Sequence, residues 1–332
     1  MFVTSEDGTR LAVNRTGEGP PVVLIHGSAG GLDSFDPILP LLRDRFELLT
    51  YARRGYAPSD GCTRAKTFAD DVADLRAVVA AAGGAAHVVG TSYGATVALH
   101  AALALAGQPP AATEEGTATS ASGSGRTVSR PPAAGKIDSG MTVSGGTSSA
   151  AASRGGANSA VAASSATGGD GGVGGGKVAG GVVIRSLVVF EPPIFSAGAG
   201  LADALGRYRG LLEAGDLLGA ARLLAAEVAR VPAAILPAIA APPESEAVGC
   251  LHDLEAMTAD TTDVERWSAI TVPTLLLQGS DTWPPMPDTM EALAAALPSA
   301  ARTVLPGQSH FASHTAPGLF AGALTDFLRK QA

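Results

Sequence analysis

Val88-Val89-Gly90-Thr91-Ser92-Tyr93-Gly94-Ala95-Thr96-Val97-Ala98-Leu99 is the stretch on which the reading of this chain turns. An apolar run ends at Gly90, a serine follows two residues later, and Gly94 opens an Ala-rich helical pattern. That is G-x-S-x-G in the setting it requires: strand, sharp turn, helix. A serine lifted to the tip of such a turn needs a strained backbone, and its neighbours must leave room for the incoming helix and a substrate. The pattern alone is modest evidence in a chain with 42 Gly among 332 residues. It occurs once. The plain alternative is a strand-to-helix turn with a surface serine, and the rest of the sequence decides between the two.

Working outward, strands and helices alternate. Residues 1–25 read as three short strands separated by Asp7-Gly8-Thr9 and Gly17-Glu18-Gly19-Pro20. The third, Pro21-Val22-Val23-Leu24-Ile25, is apolar throughout, as in a parallel strand covered on both faces. It runs into the glycine-rich loop His26-Gly27-Ser28-Ala29-Gly30-Gly31. A helical stretch at 37–43, a strand at 46–51 and an amphipathic helix at 67–82 follow. That helix has Thr67 as its cap and Phe68, Val72, Leu75 and Val79 on one face. Beyond the elbow, strands are expected at 182–190, 272–278 and 301–305, with helices at 288–297 and 316–329. Strands alternating with helices predict a doubly wound, mostly parallel α/β sheet.

Two regions break the alternation. Residues 107–181 hold no aromatic, leucine or histidine and 19 of the 42 Gly. Such a composition cannot bury enough apolar surface to offset backbone ordering, and it predicts a disordered Gly/Ala/Ser/Thr-rich insertion. Residues 200–265 carry Leu/Ala stripes at helical spacing over 201–213, 216–230 and 246–258 and no strand, which predicts a helical cap. The expected organisation is therefore a core over 1–106, the insertion at 107–181, a core strand and connection at 182–199, the cap at 200–265, and the rest of the core at 266–332.

Bulk properties narrow the function. A net charge of −8 and the lack of a basic, aromatic-interleaved cluster disfavour nucleic acid or an anionic membrane surface as partner. Cys62 and Cys250 are isolated, so neither a disulfide framework nor a zinc site is indicated. The N-terminus lacks the pattern of a signal peptide, and no apolar run reaches the roughly 18 residues of a membrane helix. A cytoplasmic protein is the expectation.

A serine becomes a nucleophile when a base takes its proton, and a histidine base needs a carboxylate to hold its tautomer. Among six histidines, His87 starts an apolar strand, His100 lies in a helix, His252 lies on a cap helix, and His26 ends a strand where it braces the glycine loop. His310 and His314 follow the last strand. His310 is favoured, because the Pro306-Gly307 loop can return it over the strand ends. For the acid, Asp281 and Glu191 both follow strands, and strand C-termini converge on one edge. Asp281 is the first choice because Ser…Asp…His, each after its own strand, matches the triad order of one fold. Glu191 is the second, and Asp288 reads as a helix cap.

The sequence resembles the α/β-hydrolase superfamily, of the serine-nucleophile, helical-cap type, across essentially the whole chain apart from the insertion. Five stations in family order carry the resemblance: His26-Gly27-Ser28-Ala29-Gly30, Arg53-Arg54-Gly55-Tyr56-Ala57-Pro58-Ser59, Gly90 to Gly94, Gln278-Gly279-Ser280-Asp281, and Pro306-Gly307-Gln308-Ser309-His310. The resemblance implies Ser92 as nucleophile, Asp281 as acid, His310 as base, and the backbone N–H groups of Ser28 and Tyr93 as the oxyanion hole. It implies a carboxylesterase-like serine hydrolase of a small acyl substrate, working without metal or organic cofactor. Serine rather than aspartate at the elbow argues against epoxide and halide chemistry. Lactonase, thioesterase, C–C hydrolase, aminopeptidase, acyltransferase and cofactor-free haloperoxidase relatives remain open, as does a non-catalytic ligand-binding protein of the same fold. Met257, Trp267 and Trp283 are expected near the site and suggest an apolar substrate.

Overall fold

A computed structural model describes residues 1–106, 181–297 and 299–331. The predicted insertion lies outside the described residues except for Gly181. Eight strands form one sheet in the order β1-β2-β4-β3-β5-β6-β7-β8. They are β1 (Phe2–Thr4), β2 (Arg10–Thr16), β3 (Pro21–Ile25), β4 (Glu47–Tyr51), β5 (Ala85–Thr91), β6 (Val183–Phe190), β7 (Thr274–Gly279) and β8 (Ala300–Leu305), and the helices that flank them include α1 (Leu39–Leu42), α7 (Met286–Ala296) and α8 (Ala312–Thr315). The first two pair antiparallel and the other six parallel. The doubly wound, mostly parallel sheet expected from the alternation is present.

Pleating sends alternate residues to opposite faces. From β3, Val23 and Ile25 enter a core with α2 (Phe68–Ala81) and α3 (Tyr93–Ala106), while Val22 and Leu24 enter a second core with α9 (Pro317–Leu328). Covered on both faces, the central strands need no polar alternation, which is why their sequences are continuously apolar. The Asp70 carboxylate accepts the Thr67 N–H at 2.9 Å and closes the first turn of α2, as the cap reading requires. Of the four residues expected on its apolar face, Phe68, Leu75 and Val79 are buried and Val72 is half-buried.

The cap comprises α4 (Ala202–Glu213), α5 (Leu217–Leu223) and α6 (Glu244–Thr258). The single helix expected over 216–230 is capped by Asp216, whose carboxylate accepts the Gly219 N–H at 2.8 Å, but it changes to a π turn over Leu224–Val228. A π turn widens the helix and re-aims its side chains. Here Leu224, Ala225 and Val228 line a cavity over the C-terminal edge of the sheet. No helix among the described residues is long and apolar enough to cross a membrane.

Candidate active site

Ser92 stands at the end of β5 with φ of 53°, a left-handed conformation that costs a non-glycine residue about 1–3 kcal/mol. The turn is fixed from both sides. The Ser92 N–H donates to Phe190 O at 2.8 Å, and the Ser92 carbonyl accepts the Ala95 N–H at 2.9 Å as α3 begins. The two glycines of the elbow are explained by contact. A Cβ on Gly90 would sit 2.3 Å from Gly94 O, and one on Gly94 would sit 2.3 Å from Ile25 O. Any side chain at either place would push α3 off β5 and β3.

His310, in the loop after β8, is packed between Phe190, Trp283 and Phe311, with ring centroids about 6 Å away in each case. Its Nδ1 lies 2.7 Å from Glu191 Oε2. Glu191 is fully buried at the end of β6 with φ of 46°. Its Oε1 accepts the Gly279 N–H at 2.8 Å and its Oε2 accepts the Thr282 hydroxyl at 2.9 Å. A carboxylate so held accepts the Nδ1–H, which leaves the Nε2 lone pair of His310 free for proton transfer.

The first-choice acid is therefore corrected. Asp281 is exposed, and its Oδ1 accepts the hydroxyl of its neighbour Ser280 at 2.7 Å. Its backbone N–H donates to Gln308 O at 2.8 Å, so it ties down the loop that carries His310 without presenting its carboxylate to the ring. Both acids sit at the same sheet edge. The left-handed turn at Glu191 swings its side chain across the end of β7 towards Gly279 and Thr282, whereas the Asp281 side chain leaves the edge for solvent. Strand order alone carries no information about that turn. The signal in the sequence was Glu191-Pro192-Pro193, a carboxylate locked directly after an apolar strand by two residues of fixed φ.

The loop after β3 is organised by His26. Its Nδ1 lies 2.7 Å from Gly27 O, and its Nε2 accepts the Arg53 N–H at 3.1 Å, so backbone groups set the tautomer. Burial and the adjacent Arg53 push the His26 pKa down to about 3, and the ring is neutral. Neither the Ser28 nor the Tyr93 N–H donates to another described residue. Ser28, Ser92 and His310 line one cavity of about 340 Å³. Much of its remaining wall is apolar, from Leu224, Val228, Ile239, Leu254, Met257 and Phe311.

The sequence reading missed a buried charge cluster whose central residue, Asp253, itself lines the cavity. Asp253 of α6 accepts both Arg53 Nη groups and Lys66 Nζ at 2.6 Å, and the Tyr56 and Ser28 hydroxyls at 2.7 Å. Asp71 joins through Lys66 Nζ at 3.3 Å and the Tyr93 hydroxyl at 2.6 Å. Burial raises the Asp253 pKa, but Arg53 and Lys66 outweigh it and hold the carboxyl well below the usual range. Ser28, Arg53, Tyr56 and Tyr93 lay within recognised motifs, whereas Lys66, Asp71 and Asp253 did not.

The other expectations resolve simply. His87 bonds the Ser186 hydroxyl at 2.8 Å, His100 stacks on Phe68 and meets Asp260 at 3.1 Å, and His252 meets Glu255 at 2.9 Å. His314 Nδ1 lies 3.0 Å from the Ser313 hydroxyl. Met257 reaches the cavity, and Trp283 packs edgewise on His310. Trp267 does not line the cavity: it is fully buried against His100 and Arg266. No group of three or more His, Cys, Asp or Glu side chains among the described residues is placed to hold a metal ion.

The sheet order, the strained serine elbow and a histidine after the last strand define an α/β-hydrolase architecture. The chain belongs to the alpha/beta hydrolase family, which it matches over residues 22–323. An alpha/beta hydrolase from Sphaerobacter thermophilus is similar at 25% identity and a TM-score of 0.68, over 99% of this chain and 100% of that one. A thermophilic esterase from Thermogutta terrifontis shares the fold at 18% identity and a TM-score of 0.62, over 100% of this chain and 98% of its own. The enol-lactonase of Burkholderia xenovorans LB400 does so at 16% and 0.59, over 99% and 100%. Curated relatives match locally. The probable oxidoreductase EphD of Mycobacterium tuberculosis is 42% identical over 60 residues, 18% of this chain and 10% of its own length. The uncharacterized hydrolase YraK of Bacillus subtilis is 31% identical over 97 residues, 28% of this chain and 35% of its own. The chain thus matches only about a tenth to a third of the length of these curated relatives.

Proposed function

We propose that the protein is a serine hydrolase of carboxylic esters or closely related small acyl substrates, with Ser92 as nucleophile, His310 as general base and acid, and Glu191 as the carboxylate that holds His310. The observation that carries this reading is the 2.7 Å bond between His310 Nδ1 and the buried Glu191, with His310 and the strained Ser92 lining one cavity. His310 Nε2 takes the Ser92 proton as Oγ attacks the acyl carbonyl. Glu191 stabilises the imidazolium that results. The Ser28 and Tyr93 N–H groups receive the developing oxyanion. As the intermediate collapses, His310 returns the proton to the leaving oxygen, and an acyl-enzyme remains on Ser92. A water deprotonated by His310 then attacks the acyl carbon, and the acid leaves with Ser92 restored.

The largely apolar wall favours an apolar acyl or alcohol group, and the cavity volume suits a small molecule rather than a polymer. A fluorophosphonate probe is expected to label Ser92, and p-nitrophenyl ester turnover is expected to fall about 10⁴-fold or more in Ser92→Ala. Equal, negligible rates in wild type and variant would favour a non-catalytic binder. A panel of esters of graded chain length, with lactones and thioesters, assigns the acyl group.

A further inference from the structure

The Gly27–Ser28 peptide is gripped at both ends. Its carbonyl oxygen accepts His26 Nδ1 at 2.7 Å and Arg53 Nη2 at 3.1 Å. In a planar trans peptide the C=O and N–H point in opposite directions, so fixing the carbonyl fixes the direction of the Ser28 N–H. A cation on the carbonyl also polarises the amide and strengthens its N–H as a donor. At the other end, the Ser28 hydroxyl donates to Asp253 Oδ2 at 2.7 Å. Asp253 comes from α6 in the cap, and the same carboxylate takes both Nη groups of Arg53 at 2.6 Å. One cap side chain therefore holds both the serine and the arginine that hold the peptide.

We propose that Asp253 is a positioning residue for the oxyanion hole: from the cap, through the Ser28 hydroxyl and Arg53, it sets the Ser28 amide. The proposal rests on the hydrolase reading above. It differs from a purely structural ion cluster in one respect. Arg53 and Lys66 already balance the charge of Asp253, and the Ser28 hydroxyl adds nothing that balance needs. What it adds is a fixed orientation for the residue whose amide faces the reaction. Seating of the cap and stabilisation of the oxyanion are thereby linked, because the one carboxylate of α6 tethers both the Ser28 hydroxyl and the Arg53 guanidinium.

The test uses the full chain, with kcat and KM for p-nitrophenyl butyrate and the inhibition constant of an alkyl trifluoromethyl ketone, whose adduct carries the oxyanion. Ser28→Ala keeps the amide and deletes only the tether. Its kcat is expected to fall about tenfold, less than the roughly 10²–10³ lost with a whole oxyanion donor. The ketone should weaken by a similar factor, with KM within about twofold and the urea midpoint near wild type. Ser28→Thr, which keeps the hydroxyl, should recover most of the rate. In an Asp253→Asn background, Ser28→Ala should add less than about twofold. Unchanged kcat and ketone affinity in Ser28→Ala, or a loss confined to KM, would overturn the proposal while ester turnover by wild type over Ser92→Ala kept the hydrolase reading intact. A wild type no faster than Ser92→Ala would overturn both.

Discussion

Glu191 and Asp253 are equally buried carboxylates, 0% and 1% exposed, and they are neutralised in opposite ways. Asp253 receives two cations and two hydroxyls, and its charge is fully engaged. Glu191 receives a backbone amide, a hydroxyl and one imidazole nitrogen, with no Arg or Lys among its described partners. Dipoles alone hold this carboxylate, and in the proposed mechanism it faces the imidazolium that forms on His310. The first arrangement suits holding structure, and the second suits stabilising a transient imidazolium. Burial alone does not separate them; the sign and permanence of the partner does.

Breaking the Glu191 side should affect rate most. Glu191→Gln is expected to lower kcat for p-nitrophenyl esters by about 10³–10⁴-fold, since the amide can present the wrong hydrogen-bonding group to His310 Nδ1. Asp281→Asn, at an exposed carboxylate, is expected to stay within about threefold in kcat and within about 0.5 kcal/mol in stability. Equal losses in the two variants would reverse the assignment.

Breaking the Asp253 side should affect stability most. Asp253→Asn leaves Arg53 and Lys66 facing Asp71 alone in a buried site, and removing one partner of such a set costs about 3–5 kcal/mol. Urea unfolding should show this as a fall in midpoint well beyond that of Glu191→Gln. A smaller loss than Glu191→Gln would show that the cluster is not the anchor its geometry describes.

The mildest expected effect is a slope with pH. His26 titrates near 6.5 when unfolded and near 3 when folded, so the unfolded state binds the extra proton between those values. Its contribution is fully present above about pH 6.5 and is lost as pH falls towards 3, at about 1.4 kcal/mol per pH unit. His26→Asn should flatten that part of a urea-unfolding series taken from pH 7 to pH 4. An unchanged slope would place the acid sensitivity elsewhere.

Much of this was legible in the residues. Apolar runs, a glycine-flanked serine and alternating helical patterns are local features, and local sterics enforce them: Gly90 and Gly94 are there because nothing larger fits. The serine and histidine stations followed from them. The choice of carboxylate did not. Asp281 and Glu191 each stand just past a strand at the same edge, and in sequence both satisfy the requirement. The charge cluster was hidden for another reason, since Asp253 lies far along the chain from Lys66 and Asp71, and the three belong to no common pattern.

By itself, then, the sequence determined the parallel sheet, the serine elbow and the histidine loop, because backbone conformation and hydrophobic period are set within a few residues. Only the tertiary structure decided which acid faces His310 and which holds Ser28. Those are properties of two strands side by side and of a cap helix laid over a loop. A left-handed φ at Glu191 and the descent of α6 onto Arg53 place one carboxylate against His310 and the other against Ser28 and Arg53.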